Sequence, residues 1–174
     1  PLNTSEYGLC VALDDVLNCL PDEISLRSAI INIASSLTAG GYFLFDLVSL
    51  SSFKNYMGSV DFRKYEDACV LSYPLSSLYN TGRDPFVLGF SILTFDGRAA
   101  TWNKNDYTAT ERFYPKEDVE AILLKAGLSI AAKRDLVQGE LVAPDSTSAS
   151  CIQKHLYLCR KEATNDDRRA GQKA

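Results

Sequence analysis

The chain has 174 residues, of which 46% are hydrophobic and 23% charged, and its formal net charge is −4. This size and composition predict one globular domain with its own apolar core. The acidic balance argues against nucleic acid as a partner, because binding to a phosphate backbone requires a basic face. Since no apolar run reaches the roughly 20 residues of a membrane span and the start, PLNTSEYG, lacks a signal-peptide pattern, we expect a cytoplasmic protein without a membrane partner.

Cysteine and histidine give no sign of a metal site. The five cysteines are an odd number and no two form a C-x-x-C pair, while His155 is the single histidine. A zinc site would require paired cysteine or histidine ligands at short spacing. We therefore predict reduced, buried thiols, a structural or exposed His155, and no metal.

The first third of the chain predicts a strand, a helix and a second strand. Tyr7 to Leu13 is a short apolar run without clean alternation, which is typical of a buried strand in a parallel sheet. From Ser25, a plausible N-cap, apolar residues follow at helical spacing as far as Gly40-Gly41, where we predict a left-handed C-cap. The run YFLFDLV then predicts the second strand. A strand–helix–strand unit with short joints implies a parallel pair.

The middle of the chain has a different pattern. Between about residues 60 and 114, aromatic and β-branched runs are broken by Asn80-Thr81-Gly82 and by Asp96-Gly97. Asp-Gly between two such runs is a strong hairpin signal. We predict an antiparallel insertion of about three strands.

The last third predicts a helix and two strands. Pro115 opens the helix and Gly127 caps it, the segment LSIAAKRDL forms a strand, and KHLYLCRK forms a final strand after a loop-like stretch. Residues 163–174 are polar, and we expect them to form a flexible tail after a domain of residues 1–162.

Three segments in a fixed order carry a family resemblance: YGLCVALDDVLNCL, SLTAGGYFLFDLVS and TERFYPKEDVEAILLKAGLSI. They resemble the fourth strand with its loop, the fifth strand with the preceding turn, and the last long helix with its leading segment in class I S-adenosylmethionine-dependent methyltransferases. The resemblance covers roughly residues 5 to 160. Strands inserted after the fifth strand point to the branch that acts on small molecules, including sugar and amine N-methyltransferases.

The resemblance implies a fold and a missing part. The fold is α/β, with a Rossmann-like, mostly parallel sheet, helices on its faces and an antiparallel β insertion between the fifth strand and the following helix. The family's glycine-rich cofactor loop would lie before Pro1, so we expect a C-terminal fragment that is inactive alone. Gly8 and Ala39 stand where the family usually has aspartate and proline.

The candidate site lies at the carboxyl ends of the two predicted parallel strands, where open α/β sheets bind ligands. The resemblance implies that Ala12, Leu13 and Asp14 contact the methionine side of S-adenosylmethionine. Asp15 could orient or deprotonate an acceptor, with Asn18 beside it. The alternative is that Asp14 or Asp15 caps a short helix and Asn18 makes a turn.

Four further residues are candidates for the catalytic and acceptor-binding site. Asp46 ends the second strand at the same edge, where it either faces the acceptor or caps the next turn. Arg112 and Tyr114 precede the last helix; they are assigned to the catalytic set, with helix entry as the alternative. Trp102 is assigned to an aromatic wall of the acceptor pocket, although aromatic residues in antiparallel strands are more often core.

Two classes of function therefore remain. The first is S-adenosylmethionine-dependent methyl transfer to a small-molecule acceptor. The second is a non-catalytic, methyltransferase-like module that pairs with another chain, a second copy of itself included, through an exposed sheet edge. A dinucleotide oxidoreductase is disfavoured because no G-x-G-x-x-G occurs.

Overall fold

The computed structural model describes residues 6–56, 59–75, 85–144 and 146–163. The fold is mixed α/β, and its elements in chain order are β1 (Tyr7–Ala12), α1 (Glu23–Ser36), β2 (Leu37–Val48), α2 (Leu50–Tyr56), β3 (Asp61–Lys64), β4 (Ala68–Pro74), β5 (Phe86–Asp96), β6 (Thr101–Glu111), α3 (Lys116–Lys125), β7 (Leu128–Val137), β8 (Glu140–Val142), a short 3₁₀ helix (Ala149–Cys151) and β9 (Lys154–Lys161). The predicted turn at residues 80–82 and the tail from residue 164 lie outside the described residues. None of the described helices is long and apolar enough to span a membrane.

The first sheet has five strands in the order β1-β2-β9-β7-β8. Among the described residues, only β1 and β2 of this sheet pair in parallel, whereas the other three pairings are antiparallel. The prediction of a mostly parallel sheet is therefore wrong. The reason is the position of β9, which lies between β2 and β7 and runs against both.

The predicted ends of the first helix are also wrong. Asp22, not Ser25, is the N-cap: its carboxylate accepts the backbone N–H of Ser25 at 2.7 Å. The helix stops at Ser36 because Leu37 is already extended and begins β2.

The two glycines lie within β2, where they allow an irregularity in its pairing with β1. Gly40 has φ +77°, which favours glycine, and a Cβ on Gly41 would come within 3.1 Å of the Tyr7 carbonyl oxygen. They are therefore structural, but they serve strand pairing and do not end a helix.

The second sheet lies in the chain between α2 and α3 and has four antiparallel strands in the order β3-β4-β5-β6. The β5–β6 hairpin pairs along its whole length, from Phe86 opposite Glu111 to Asp96 opposite Thr101. Its tight connection after Asp96 agrees with the Asp-Gly signal. The loop-like stretch of the last third contains β8 and the 3₁₀ helix, which the sequence reading did not predict.

The main core lies between one face of the first sheet and the helices α1 and α3. The face is aromatic: Phe45 stacks on Phe43 at 4.7 Å and on Tyr157 at 4.9 Å between ring centroids. All three rings are fully buried, as are Leu26 and Ile30 of α1. Burial of this face fixes the helices over β2 and β9.

The prediction of buried thiols holds for Cys159 but is wrong for Cys19 and Cys151, which are exposed. Cys19 lies in the loop after β1, and Cys151 lies in the 3₁₀ helix at the surface. All five thiols are free, and Cys10 and Cys69 are partly buried.

Replacement of Phe45 tests whether the aromatic stack holds the core. We expect Phe45→Ala to lower the free energy of unfolding by about 3–5 kcal/mol, because it removes a buried ring and leaves a cavity. Ile24→Ala is the control, since Ile24 is 77% exposed on α1, and it should change stability by about 0.5 kcal/mol or less. Urea denaturation measures both values, and equal effects would contradict this account of the core.

Candidate functional site at the strand ends

The buried carboxylate of Asp46 organises the loop that follows β1. Asp46 is 5% exposed near the end of β2. Its Oδ2 accepts the backbone N–H of Asp14 at 3.1 Å, and its Oδ1 accepts that of Asp15 at 3.0 Å. Backbone hydrogen bonds to a carboxylate are charge-assisted and are stronger than neutral ones. The two parallel strand ends are thus joined at their common edge. This contact of Asp46 with the loop after β1 was not one of the two predicted roles, which were to face the acceptor or to cap the next turn.

Asp14 and Asp15 both have left-handed backbone conformations, with φ values of 65° and 66°. Each such residue costs roughly 1–3 kcal/mol when it is not glycine, and such residues cluster at functional sites. Here the conformation directs two successive N–H groups at Asp46. This strain is a sign of function that does not depend on any family resemblance.

Lys154 completes the cluster from the start of β9, and sequence reasoning missed it. Its Nζ lies 2.7 Å from Asp15 Oδ1 and 3.3 Å from carboxylate oxygens of both Asp14 and Asp46. The sequence showed only a charged strand end, because the position of β9 beside β2 depends on the sheet order. Three carboxylates around one ammonium leave two negative charges.

The charges within the cluster oppose the effects of burial. Burial raises the pKa of Asp15 even though its ion pair with Lys154 works in the opposite direction. Partial burial acts to lower the pKa of Lys154, but Asp15 and Asp46 together hold that pKa above its ordinary value. Lys154 therefore stays charged and fixed among the acids.

Glu111, the last residue of β6, is the second residue that sequence reasoning missed. Burial, followed by the negative charges of Asp15 and Asp14, raises the pKa of Glu111 to about 7, while Lys154 acts in the opposite direction. A carboxyl group with this pKa can accept or release a proton at neutral pH. The signal in the sequence was only its place directly before Arg112 in the family-like segment.

Asn18 holds the second sheet against the site. Its side chain is fully buried: Oδ1 accepts the N–H of Val48 at 3.0 Å, and Nδ2 donates to the Arg112 carbonyl at 2.8 Å. The Arg112 N–H in turn donates to the Asn18 carbonyl at 2.7 Å. The amide of Asn18 thus contacts backbone on both sides and positions the loop, and its predicted contact with substrate stays a prediction.

Arg112 and Tyr114 hold the far end of the same loop. Arg112 Nε donates to the Pro21 carbonyl at 2.9 Å, and the Tyr114 hydroxyl donates toward the carbonyls of Leu20 and Asp22 at 2.8 and 3.1 Å. Burial raises the pKa of Tyr114 to about 12, so its proton is not available near neutral pH. Both side chains brace the loop that carries Asp15.

The structure does not bring Trp102 to this cluster. Trp102 is half exposed, lies 5.3 Å from Phe95 between ring centroids, and is nine residues before Glu111 in β6. Nine residues of strand span about 30 Å. Ala12 is 8% exposed in the main core and Leu13 is 40% exposed beside Asp14, so the cofactor contacts implied for them stay predictions.

The fold is similar to those of several solved structures. It is similar to a S-adenosylmethionine-dependent methyltransferase of Clostridium acetobutylicum, with 21% identity and a TM-score of 0.73, over 94% of this chain and 62% of that one. It is also similar to the CcbJ methyltransferase of Streptomyces caelestis, with 15% identity and a TM-score of 0.65, over 94% of this chain and 64% of that one. A third similar structure is the sugar N-methyltransferase KedS8 of a Streptoalloteichus species, with 18% identity and a TM-score of 0.63, over 91% of this chain and 57% of that one.

These comparisons define a fold. The described structure has the fold found in S-adenosylmethionine-dependent methyltransferases, and the chain spans about three fifths of the length of the matched proteins. The sequence matches no protein-family model and no curated protein.

The raised pKa of Glu111 predicts how stability depends on pH. Folded Glu111 keeps its proton up to about pH 7, whereas the unfolded carboxyl loses it near 4.5, so the folded state binds more protons in this window and stability falls as pH rises. We expect Glu111→Gln to remove about 1–2 kcal/mol of that fall, allowing for solvent screening. Urea denaturation of both proteins at several pH values between about 4.5 and 7 measures the free energy of unfolding. The same dependence of this free energy on pH in Glu111→Gln and in the wild type would contradict the raised pKa.

Proposed function

We propose that this chain forms the C-terminal part of an S-adenosylmethionine-dependent methyltransferase that acts on a small-molecule amine. On this proposal, β1 and β2 correspond to the family's fourth and fifth strands, and the second sheet is the insertion before the last helix. Support comes from the fold likeness and from the acidic cluster at the ends of β1 and β2. The observation that carries the proposal is this cluster, in which Asp46 and Lys154 hold Asp14 and Asp15 at the strand ends, and the raised pKa of Glu111 agrees with it.

The cluster fits the charged part of the proposed cofactor. S-adenosylmethionine, when bound, supplies a methyl group on a positively charged sulfur together with an amino group. Asp14, Asp15 and Asp46 outnumber Lys154 by two charges, and negative charge at strand ends attracts a cation. The Asp14 side chain, 96% exposed, is free to face such a ligand.

The same charges favour an amine as the acceptor. An amine is protonated near neutral pH and must lose a proton before its nitrogen can attack a methyl carbon. Glu111 takes that proton, because its pKa of about 7 keeps a substantial fraction ionised at neutral pH. The surrounding carboxylates then stabilise the cationic methylated product.

Other residues of the chain position these groups. Asp46 fixes the backbone of Asp15, and Lys154 fixes the Asp15 side chain. Asn18, Arg112 and Tyr114 act through the loop rather than on substrate. Holding two reactants in line supplies a large part of the acceleration of a displacement reaction.

Replacement of Glu111 tests the proposed base. In the complete protein that contains this chain, we expect Glu111→Gln to lower kcat for methyl transfer to an amine by about 10²–10⁴-fold, since glutamine cannot accept the proton. The difference in kcat between Glu111→Gln and the wild type should become smaller as pH rises, because more of the amine is then unprotonated and needs no base. Transfer of labelled methyl from S-adenosylmethionine to a panel of amino sugars and simple amines provides the measurement.

The control is Glu140→Gln, which changes an exposed carboxylate of β8 and should leave kcat unchanged. Wild-type activity in Glu111→Gln would disprove the role of this base. Absence of methyl transfer by the wild-type protein to every amine in the panel would disprove the substrate class.

A second candidate function rests on the edge of the first sheet. Among the described residues, β1 pairs only with β2, and Leu9 and Val11 are each 54% exposed on it. An unpaired apolar edge strand is a template for pairing with another strand. The chain would then act as an interaction module rather than as an enzyme.

This second function predicts association of the 174-residue chain. We expect light scattering to give a mass above the 19.2 kDa monomer at high concentration, and Val11→Lys to restore the monomer mass by placing a charge on the edge. Ile24→Lys on α1 is the matched control and should not change the association. A monomer at every concentration would exclude pairing through this edge.

A further inference from the structure

An open pocket lies on the face of the first sheet opposite Lys154. It is a cavity of about 490 Å³ between α2, the start of α3 and residues 147–152, and its floor includes Asp135 and His155. Because successive side chains of a strand point to opposite faces, Lys154 and His155 serve different sides of β9. The volume lies in the range of small-molecule sites.

The floor holds a histidine oriented by a buried acid. Asp135 is 2% exposed, and its Oδ1 lies 2.7 Å from Nδ1 of His155, its cross-strand partner. A carboxylate can only accept, so Nδ1 carries the proton, and in the neutral ring Nε2 is left as an acceptor. The mechanism proposed above uses neither residue.

The rim of the cavity is held rigidly. The hydroxyls of Ser49 and Ser51 both donate to the Ile152 carbonyl, and the Ser52 hydroxyl donates to the Gln153 carbonyl at 2.9 Å. The Gln153 N–H donates to the Leu136 carbonyl at 2.8 Å. These bonds fix residues 152–153 against α2, so the cavity is formed before any ligand binds.

The charge of the cavity differs from that of the strand-end cluster. Its lining contains Lys54, Lys116 and Lys133 against Glu117 and Asp135, which gives +1 with a neutral histidine. Lys133 is held by Glu120 at 2.6 Å. Within the described residues, Lys54 and Lys116 form no ion pair, and both reach the cavity.

From these features we infer that the cavity binds a small hydroxylated molecule with a phosphate or carboxylate group. Lys54 and Lys116 contact the anion, and His155 forms a hydrogen bond with a hydroxyl through Nε2. The buried Asp135 keeps the imidazole in the required tautomer. The inference does not depend on the proposed methyl transfer, because none of these residues belongs to the strand-end cluster.

The single histidine makes a direct test possible, since the Hε1 signal of His155 is unambiguous in a proton NMR spectrum. We expect glucose 6-phosphate and gluconate, added at fixed pH to the 174-residue chain, to shift this signal saturably, and glucose to bind more weakly. The double variant Lys54→Ala/Lys116→Ala should weaken binding of glucose 6-phosphate by about tenfold or more, because charge-assisted hydrogen bonds are lost.

The control is Lys64→Ala/Lys125→Ala, which removes the same charge from exposed positions outside the cavity and should bind as the wild type does. No shift with either anionic probe would overturn the inference. Binding of glucose as tight as that of glucose 6-phosphate would also overturn it, as would equal loss of affinity in the two double variants.

Discussion

The carboxylate of Asp46 is the interaction on which the strand-end site depends. It is buried, yet it carries charge, so its hydrogen bonds to two backbone N–H groups and its ion pair with Lys154 are what make its burial tolerable. In return, these bonds support the left-handed conformations of Asp14 and Asp15, which are uncommon for residues other than glycine. The hydrogen bonds that satisfy the buried acid are therefore the same ones that hold the loop after β1.

The strand β9 separates the two polar regions of the protein. It lies between β2 and β7, and its first two residues place Lys154 in the acidic cluster and His155 in the cavity. The alternation of a single strand thus places Lys154 in a region with an excess of negative charge and His155 in a cavity whose lining carries a net charge of +1. The strand-end cluster consequently favours a cationic group, and the cavity on the other side of β9 favours an anionic group.

Local patterns allowed much of the fold to be predicted, but not the sheet order. The apolar runs located β1, β2 and β7, and the common edge of parallel strands brought Asp46 to Asp14 and Asp15. The contact of Lys154 with the acidic cluster could not be predicted, because the local sequence KHLYLCRK does not indicate which strands lie beside it. The helix end at Ser36 was missed for a different reason, since Gly40-Gly41 gave a strong local signal that pairing with β1 overrode.

Asn18 shows how a polar residue of the family-like segments holds the loop through backbone contacts. The loop after β1 has many backbone groups to satisfy, and the amide of Asn18 satisfies Val48 at the end of β2 and Arg112 after β6. Because Glu111 directly precedes Arg112, the same amide fixes where the end of β6 approaches the acidic cluster. The position of Glu111, and with it the burial and the like charges that raise its pKa, thus follows from a hydrogen bond one residue away. The raised pKa of the Glu111 carboxyl group therefore depends on the docking of the second sheet against the first as much as on the carboxyl group itself.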